Sequence, residues 1–156
     1  MKLLYTIAIS LLLFTSCNSE NKTEIIEPID YTAQNEADIV AYIAENELDA
    51  TRSESGLYYV INEQGTGEQP TATSDVTVAY KGYFLNGNVF DESDEEGISF
   101  NLSGVIQGWT EGIQYFNEGG SGILLIPSSL GYGNNSNSVI PGGSVLLFDI
   151  DLIEVN

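Results

Sequence analysis

The chain has 156 residues, 42% apolar and 10% aromatic, which is room for one ordinary domain with a real core and not comfortably for two. It carries 23 acidic against four basic residues, a net charge of −19, so no basic patch exists to neutralise nucleic-acid phosphates or to seek an anionic lipid surface. With no histidine and one cysteine, histidine-based triads, histidine metal sites, internal disulfides and cysteine-rich zinc sites are all removed.

The remaining chemistry belongs to carboxylates, hydroxyls, backbone amides or an apolar pocket, with no cofactor and no metal implied. The charge itself reads as solubility in an outer compartment.

Residues 1–16 open with Lys2, continue through an apolar run that ends at Phe14, and close on Thr15-Ser16. This is the pattern of a secretory signal, and the run is shorter than the roughly 20 residues a membrane-spanning helix needs. Cys17 follows at once, with polar Asn18-Ser19-Glu20-Asn21 behind it. The arrangement resembles a bacterial lipoprotein precursor, in which Cys17 becomes the lipidated first residue of the exported protein. Asn18 is compatible with sorting to the outer membrane of a Gram-negative host, on its periplasmic side or at the cell surface.

Residues 17–34 hold Pro28 and little apolar periodicity, and read as a flexible tether. A helix is expected over 35–50, capped by Asn35, with acids in its first turn and Ile39, Tyr42, Ile43 and Leu48 forming an apolar stripe for docking on the domain that follows.

From residue 51 to 156 the texture is short strands divided by Gly and Asn. Residues 57–61, 76–80, 89–90, 98–102, 123–126 and 146–153 read as strands, with a hairpin at Asn86-Gly87-Asn88. Between them a single helical segment over 109–116 places Trp109, Ile113 and Phe116 on one side. On the last strand Leu146, Phe148, Ile150 and Leu152 oppose Leu147, Asp149, Asp151 and Ile153. The expected fold is α+β: an antiparallel sheet of about five strands with one polar face, wrapped around one short helix.

A string of motifs then falls in order: Val78-Ala79-Tyr80-Lys81-Gly82, Phe90-Asp91-Glu92-Ser93, Phe100-Asn101-Leu102, Val105-Ile106-Gln107-Gly108-Trp109, Ile126-Pro127, Leu130-Gly131-Tyr132-Gly133, Val139-Ile140-Pro141 and Leu147-Phe148. Together they resemble the FKBP family of peptidyl-prolyl cis-trans isomerases over about residues 56–155. The resemblance implies an FKBP-like fold and a pocket for a proline ring. Tyr80, Asp91, Trp109 and Tyr132 fall on its catalytic positions, and Phe90, Phe100, Val105, Ile106, Ile140 and Phe148 on its substrate-binding ones. In the family the tryptophan floors the pocket, the amide at Ile106 and the hydroxyl at Tyr132 hold substrate carbonyls, and Asp91 stands at the rim. The implied partners are proline-containing polypeptides and macrolides of the FK506 or rapamycin class, with the chain acting as a monomer.

Other readings of the same residues stay open at this level. Phe100 fits a core position as well as a pocket wall, Asp91 could simply form a turn, and Asp91 to Gly97 lacks the ligand spacing of a calcium loop and reads as a solvated acidic bulge. The function expected is isomerase-assisted folding of exported proteins; the alternative is a weakly catalytic or non-catalytic chaperone module that holds proline segments. The stretch Gly133 to Val139, rich in Asn and Ser, and Pro141-Gly142 depart from the usual family pattern, which leaves the sequence preference around proline undefined.

Overall fold

The computed structural model describes residues 29–156. The expected signal segment, Cys17 and most of the expected tether lie outside the described residues.

The chain runs α1 (Thr32–Glu45), β1 (Thr51–Arg52), β2 (Tyr58–Glu63), β3 (Asp75–Tyr83), β4 (Val89–Glu92), β5 (Ile98–Asn101), α2 (Gln107–Gly112), β6 (Ser121–Ile126) and β7 (Leu146–Val155), with short 3-10 turns at Leu102–Gly104, Ile113–Tyr115 and Ser128–Leu130. The strands form one antiparallel sheet in the order β1-β2-β6-β7-β3-β4. β5 shares with β4 the remaining edge of β3: β4 pairs with Lys81, Gly82 and Tyr83, and β5 with Asp75 to Val78. The sheet thus has seven strands where about five were expected; six answer to the segments read as strands in the sequence, and the two-residue β1 does not.

The inner face follows the alternation along β7. Leu146, Phe148, Ile150 and Leu152 join Val76, Val78, Leu124 and Ile126 in the main core, closed over by Trp109, Ile113 and Phe116 from α2 and the turn after it. Helix α2 lies close on β6. A Cβ at Gly108 would meet the side chain of Ile126, and one at Gly112 would come 2.7 Å from Leu124.

The outer face corrects the expectation of one polar side. Ile39 of α1, together with Tyr42, Ile43 and Leu48, packs on Tyr58, Val60, Leu125 and Leu147 in a second core. Leu147 is fully buried there, and on this face the far end of β7, at Asp149, Asp151 and Ile153, faces solvent. The continuous apolar run in β6 is what a strand covered on both faces requires.

Helix α1 also corrects its expected limits. It starts at Thr32, three residues before Asn35, and the Asp30 carboxylate accepts the Thr32 N–H at 2.9 Å. Asn35 therefore caps nothing; it sits in the first turn with 2% of its surface exposed. The helix ends at Glu45, not 50, because Glu47 takes a left-handed φ of 52° and Leu48 N–H closes on Ile43 O at 3.0 Å, a Schellman ending. No helix among the described residues is long and apolar enough to cross a membrane.

Candidate active site

One end of the barrel-like curl between the sheet and α2 stays open. Main-chain geometry creates the opening: Ile106 is extended (φ −61°, ψ 149°), and its carbonyl accepts from Trp109 N–H at 2.9 Å and Thr110 N–H at 3.1 Å, starting α2. The Thr110 hydroxyl, bonded to Leu102 O at 2.6 Å, ties that start to the preceding 3-10 turn. Trp109 is thereby turned inward across the mouth of the sheet.

The result is a cavity of about 980 Å³. Trp109 forms its base and is 4% exposed, and Tyr80, Phe100 and Phe148 meet it edge-on at ring separations of 5.1, 5.4 and 5.3 Å. Phe90 in turn meets Phe148 edge-on at 5.5 Å. Edge-to-face packing holds each ring by its neighbours' quadrupoles as well as by area, and the set makes a stiff apolar cup.

All ten residues singled out in the sequence line this one cavity: Tyr80, Phe90, Asp91, Phe100, Val105, Ile106, Trp109, Tyr132, Ile140 and Phe148. The open alternatives resolve as follows. Phe100 is half-buried, packing on the core and facing the cavity, so it serves both roles. Asp91 is a strand residue of β4, paired with Gly82, and is not in a turn. Sequence reasoning missed Gly104, Asn137, Ser138 and Val139, which also line the space. Asn137 had a legible signal: its side-chain oxygen accepts from the N–H of Val139 at 2.9 Å and of Ile140 at 2.7 Å, the self-bonding habit of Asn in loops.

Polar groups are few and sit at the edge. The Tyr80 hydroxyl donates to Asp91 Oδ2 at 2.7 Å. Burial, reinforced by that bond, pushes the Tyr80 hydroxyl up to about 12, so it remains a donor at neutral pH. Tyr132 is 45% exposed on the far rim. The Ile106 amide is not used by any hydrogen bond within the described residues, and the buried Trp109 Nε1–H likewise has no protein partner. Asp94 and Glu95 border a second, smaller hollow of about 330 Å³ with Lys81, Asp149 and Asp151, on the other side of Tyr80, which lines both. Such a site can desolvate an apolar ring and offer donors to carbonyl oxygens, and nothing in it is arranged to move a proton or form a covalent bond.

A family model described as FKBP-type peptidyl-prolyl cis-trans isomerase matches residues 66–153. The protein of that description named FkpA in Escherichia coli (strain K12) is 44% identical over 105 residues, covering 66% of this chain and 39% of that protein. Its namesake in Buchnera aphidicola subsp. Schizaphis graminum is 44% identical over 108 residues, covering 67% of this chain and 43% of its own length. The chain therefore spans about two-fifths of the length of these curated relatives. Among solved structures, FkpA from Escherichia coli superposes with a TM-score of 0.72 at 39% identity, over 80% of this chain and 61% of that one. The crystal structure of AtFKBP13 gives 0.64 at 31% identity, over 69% of this chain and 99% of that one. The matched stretch takes in more than half of the sequence and every residue around the cavity, and the chain belongs to the FKBP-type peptidyl-prolyl cis-trans isomerase family.

Proposed function

We propose that the chain is a peptidyl-prolyl cis-trans isomerase that assists the folding of exported proteins. The observation that carries this reading is the indole of Trp109 at the base of an open aromatic cup, with family membership behind it. Rotation about an amide C–N bond faces ∼18–20 kcal/mol, because resonance gives it double-bond character. Uncatalysed X-Pro exchange takes tens to hundreds of seconds, slow enough to limit folding.

The planar amide is the more dipolar form and is better solvated by water; the twisted transition state has lost conjugation and gains less from water. Moving the bond into a dry aromatic cup removes the planar form's advantage, and shape selection for the twisted geometry is differential binding. Each ∼1.4 kcal/mol so removed is worth about tenfold in rate. Trp109 carries the proline ring. The Ile106 N–H and Tyr132 hydroxyl hold flanking carbonyls, and Asp91, oriented by Tyr80, stands beside the twisting bond. Because no proton is shuttled, the lack of histidine costs nothing.

The same cup fits a macrolide of the FK506 or rapamycin class. The reading also includes lipid attachment at Cys17 after removal of residues 1–16, holding a monomer at the outer membrane of a Gram-negative host. Metabolic labelling with a fatty acid, lost in Cys17→Ser along with membrane association, tests that part.

The test of the activity is cis-trans exchange of a short X-Pro peptide, followed by protease coupling or by NMR. Catalysis that is suppressed by a macrolide and lost on substitution of Trp109 is the expected result. Peptide binding without acceleration would assign the cup to a holding role instead.

A further inference from the structure

Among the described residues, Asn35 and Ser128 are the two buried residues of polar type, and the side chain of the first meets the main chain of the second. A buried amide is costly unless its donor and acceptor are both used. Asn35 uses both, over long distances in sequence: its Oδ1 accepts from Ser128 N–H at 2.8 Å, and its Nδ2 donates to Gly143 O at 2.9 Å. The circuit continues through the main chain. Gly143 N–H donates to Gly133 O at 2.8 Å, and Gly133 N–H donates to Ser128 O at 2.7 Å. Four hydrogen bonds thus form a closed ring, all pointing the same way round, with the Asn35 amide as its one side-chain link.

The ring sits at the base of the loop over residues 131–143. That loop supplies Tyr132, Asn137, Ser138, Val139 and Ile140 to the cavity wall. Two further contacts fix the same base to the start of α1. Asn134 Nδ2 donates to Ile29 O at 2.6 Å, and the Tyr31 ring lies where a Cβ at Gly143 would be, with Gly143 at a left-handed φ of 78°. The helix that precedes the domain is therefore joined to one wall of the site, and Asn35 is the side chain of that helix that closes the ring.

We propose that Asn35 is a positioning residue for the substrate cavity, acting by closing the hydrogen-bonded ring that sets the 131–143 loop. This rests on the isomerase reading above. Asn35 touches no substrate; it fixes the wall that substrate meets. Because that wall is contacted in the ground state and the transition state alike, its loosening falls on KM more than on kcat.

The experiment compares three variants of the full-length chain. Asn35→Ala removes both side-chain bonds. Asn35→Asp keeps an acceptor for Ser128 N–H and loses the donor to Gly143 O. Ile39→Ala, on the same helix and fully buried, weakens the packing of α1 without touching the ring. For Asn35→Ala, amide hydrogen exchange at Gly133 and Gly143 is expected to rise at least about tenfold relative to β3 amides. KM is expected to rise about fivefold to tenfold, with kcat changed by less than about twofold. Asn35→Asp, whose buried carboxylate would face Gly143 O, should raise loop exchange and KM at least as much as Asn35→Ala, and either variant that folds serves for the pair. Ile39→Ala should lower the denaturation midpoint yet leave loop exchange and KM near the parent values.

Equal effects of Asn35→Ala and Ile39→Ala on KM would overturn the proposal, as would unchanged loop exchange in both Asn35 variants. A parent chain that binds no proline peptide would instead defeat the isomerase reading, with the exchange comparison still deciding whether Asn35 holds the loop.

Discussion

The Tyr80 hydroxyl donates a 2.7 Å hydrogen bond to the Asp91 carboxylate across the β3–β4 pair. Gly82 is the residue directly opposite Asp91, so the two side chains are diagonal neighbours on one face of the sheet and meet at the cavity rim. Tyr80→Phe keeps the ring that packs on Trp109 and deletes only the donor. It is expected to lower kcat/KM by about threefold to tenfold, the worth of one hydrogen bond to a charged group at a partly wet site. An unchanged kcat/KM would mean that the pair plays no part in turnover.

The same pair sets a pH dependence. Burial, with the Asp91 bond behind it, raises the folded Tyr80 to about 12, whereas an unfolded tyrosine ionises near 10. Between those values the folded chain holds a proton that the unfolded chain has released. The stability from this group is complete below about pH 10 and is lost as pH rises through about 12. Phenolate absorbance of the parent minus Tyr80→Phe should show a tyrosine titrating in that upper range, and activity should show no Tyr80 ionisation between about pH 6 and 9.

Trp109 is the sole tryptophan of the sequence, so its emission reports one place. Titration with a proline peptide or a macrolide should change that emission saturably, at the concentration that half-saturates turnover. Trp109→Ala should cost about 3–5 kcal/mol of stability as a large-to-small change in a packed site. Trp109→Phe, which also deletes the unpartnered indole N–H, should fold nearly as well while losing about tenfold or more in kcat/KM. Turnover with no change in emission would put the substrate elsewhere.

Gly112 and Gly119 separate packing from backbone conformation. An alanine methyl at Gly112 would press on Leu124 and push α2 away from β6, carrying Trp109 with it. Gly112→Ala should cost about 1–3 kcal/mol and lower activity as well. Gly119 has open space around it but a φ of 80°, so Gly119→Ala should cost about 1 kcal/mol and leave the activity of the folded protein alone. Urea midpoints and kcat/KM measured side by side check both.

The acidic bulge bears on substrate choice from a distance. Asp94 is occupied in part by its own turn, its Oδ1 accepting from Glu96 N–H at 3.2 Å and Gly97 N–H at 3.1 Å. With Asp94 and Glu95 bordering a hollow beside the main cavity, only a screened field reaches the substrate. Peptides with a basic residue before proline should turn over about twofold to fivefold faster than acidic ones at low salt, and the gap should close near 1 M salt. Replacing Asp94, Glu95 and Glu96 with Asn, Gln and Gln should shrink it likewise; equal rates for both peptides at low salt would remove the bulge from any role in selection.

What the sequence could tell followed from local signals. Alternation marked β3 and β7, Asn86-Gly87-Asn88 marked the hairpin between β3 and β4, and the motif order brought ten residues to one cavity. Of the four cavity residues it passed over, Asn137 and Ser138 lie in a loop whose composition departs from the family pattern, and Val139 stood in a matched motif without being one of the positions assigned to the cavity.

Asn35 shows the other side. By local rules it is a helix cap ahead of an apolar stripe, because Asn at such a place normally bonds its own main chain. In the folded chain its partners lie 93 and 108 residues away, and they draw it inside the helix and under the loop. The same holds for Leu147, whose neighbours Asp149 and Asp151 suggest an outward face until α1 is seen to cover that end of it. The sequence by itself determined six of the seven strands, the family and the ring of aromatic residues, since each is written in spacing along the chain. Only the tertiary structure decided how the preceding helix grips the site, since a buried hydrogen bond between distant residues leaves no periodicity to read.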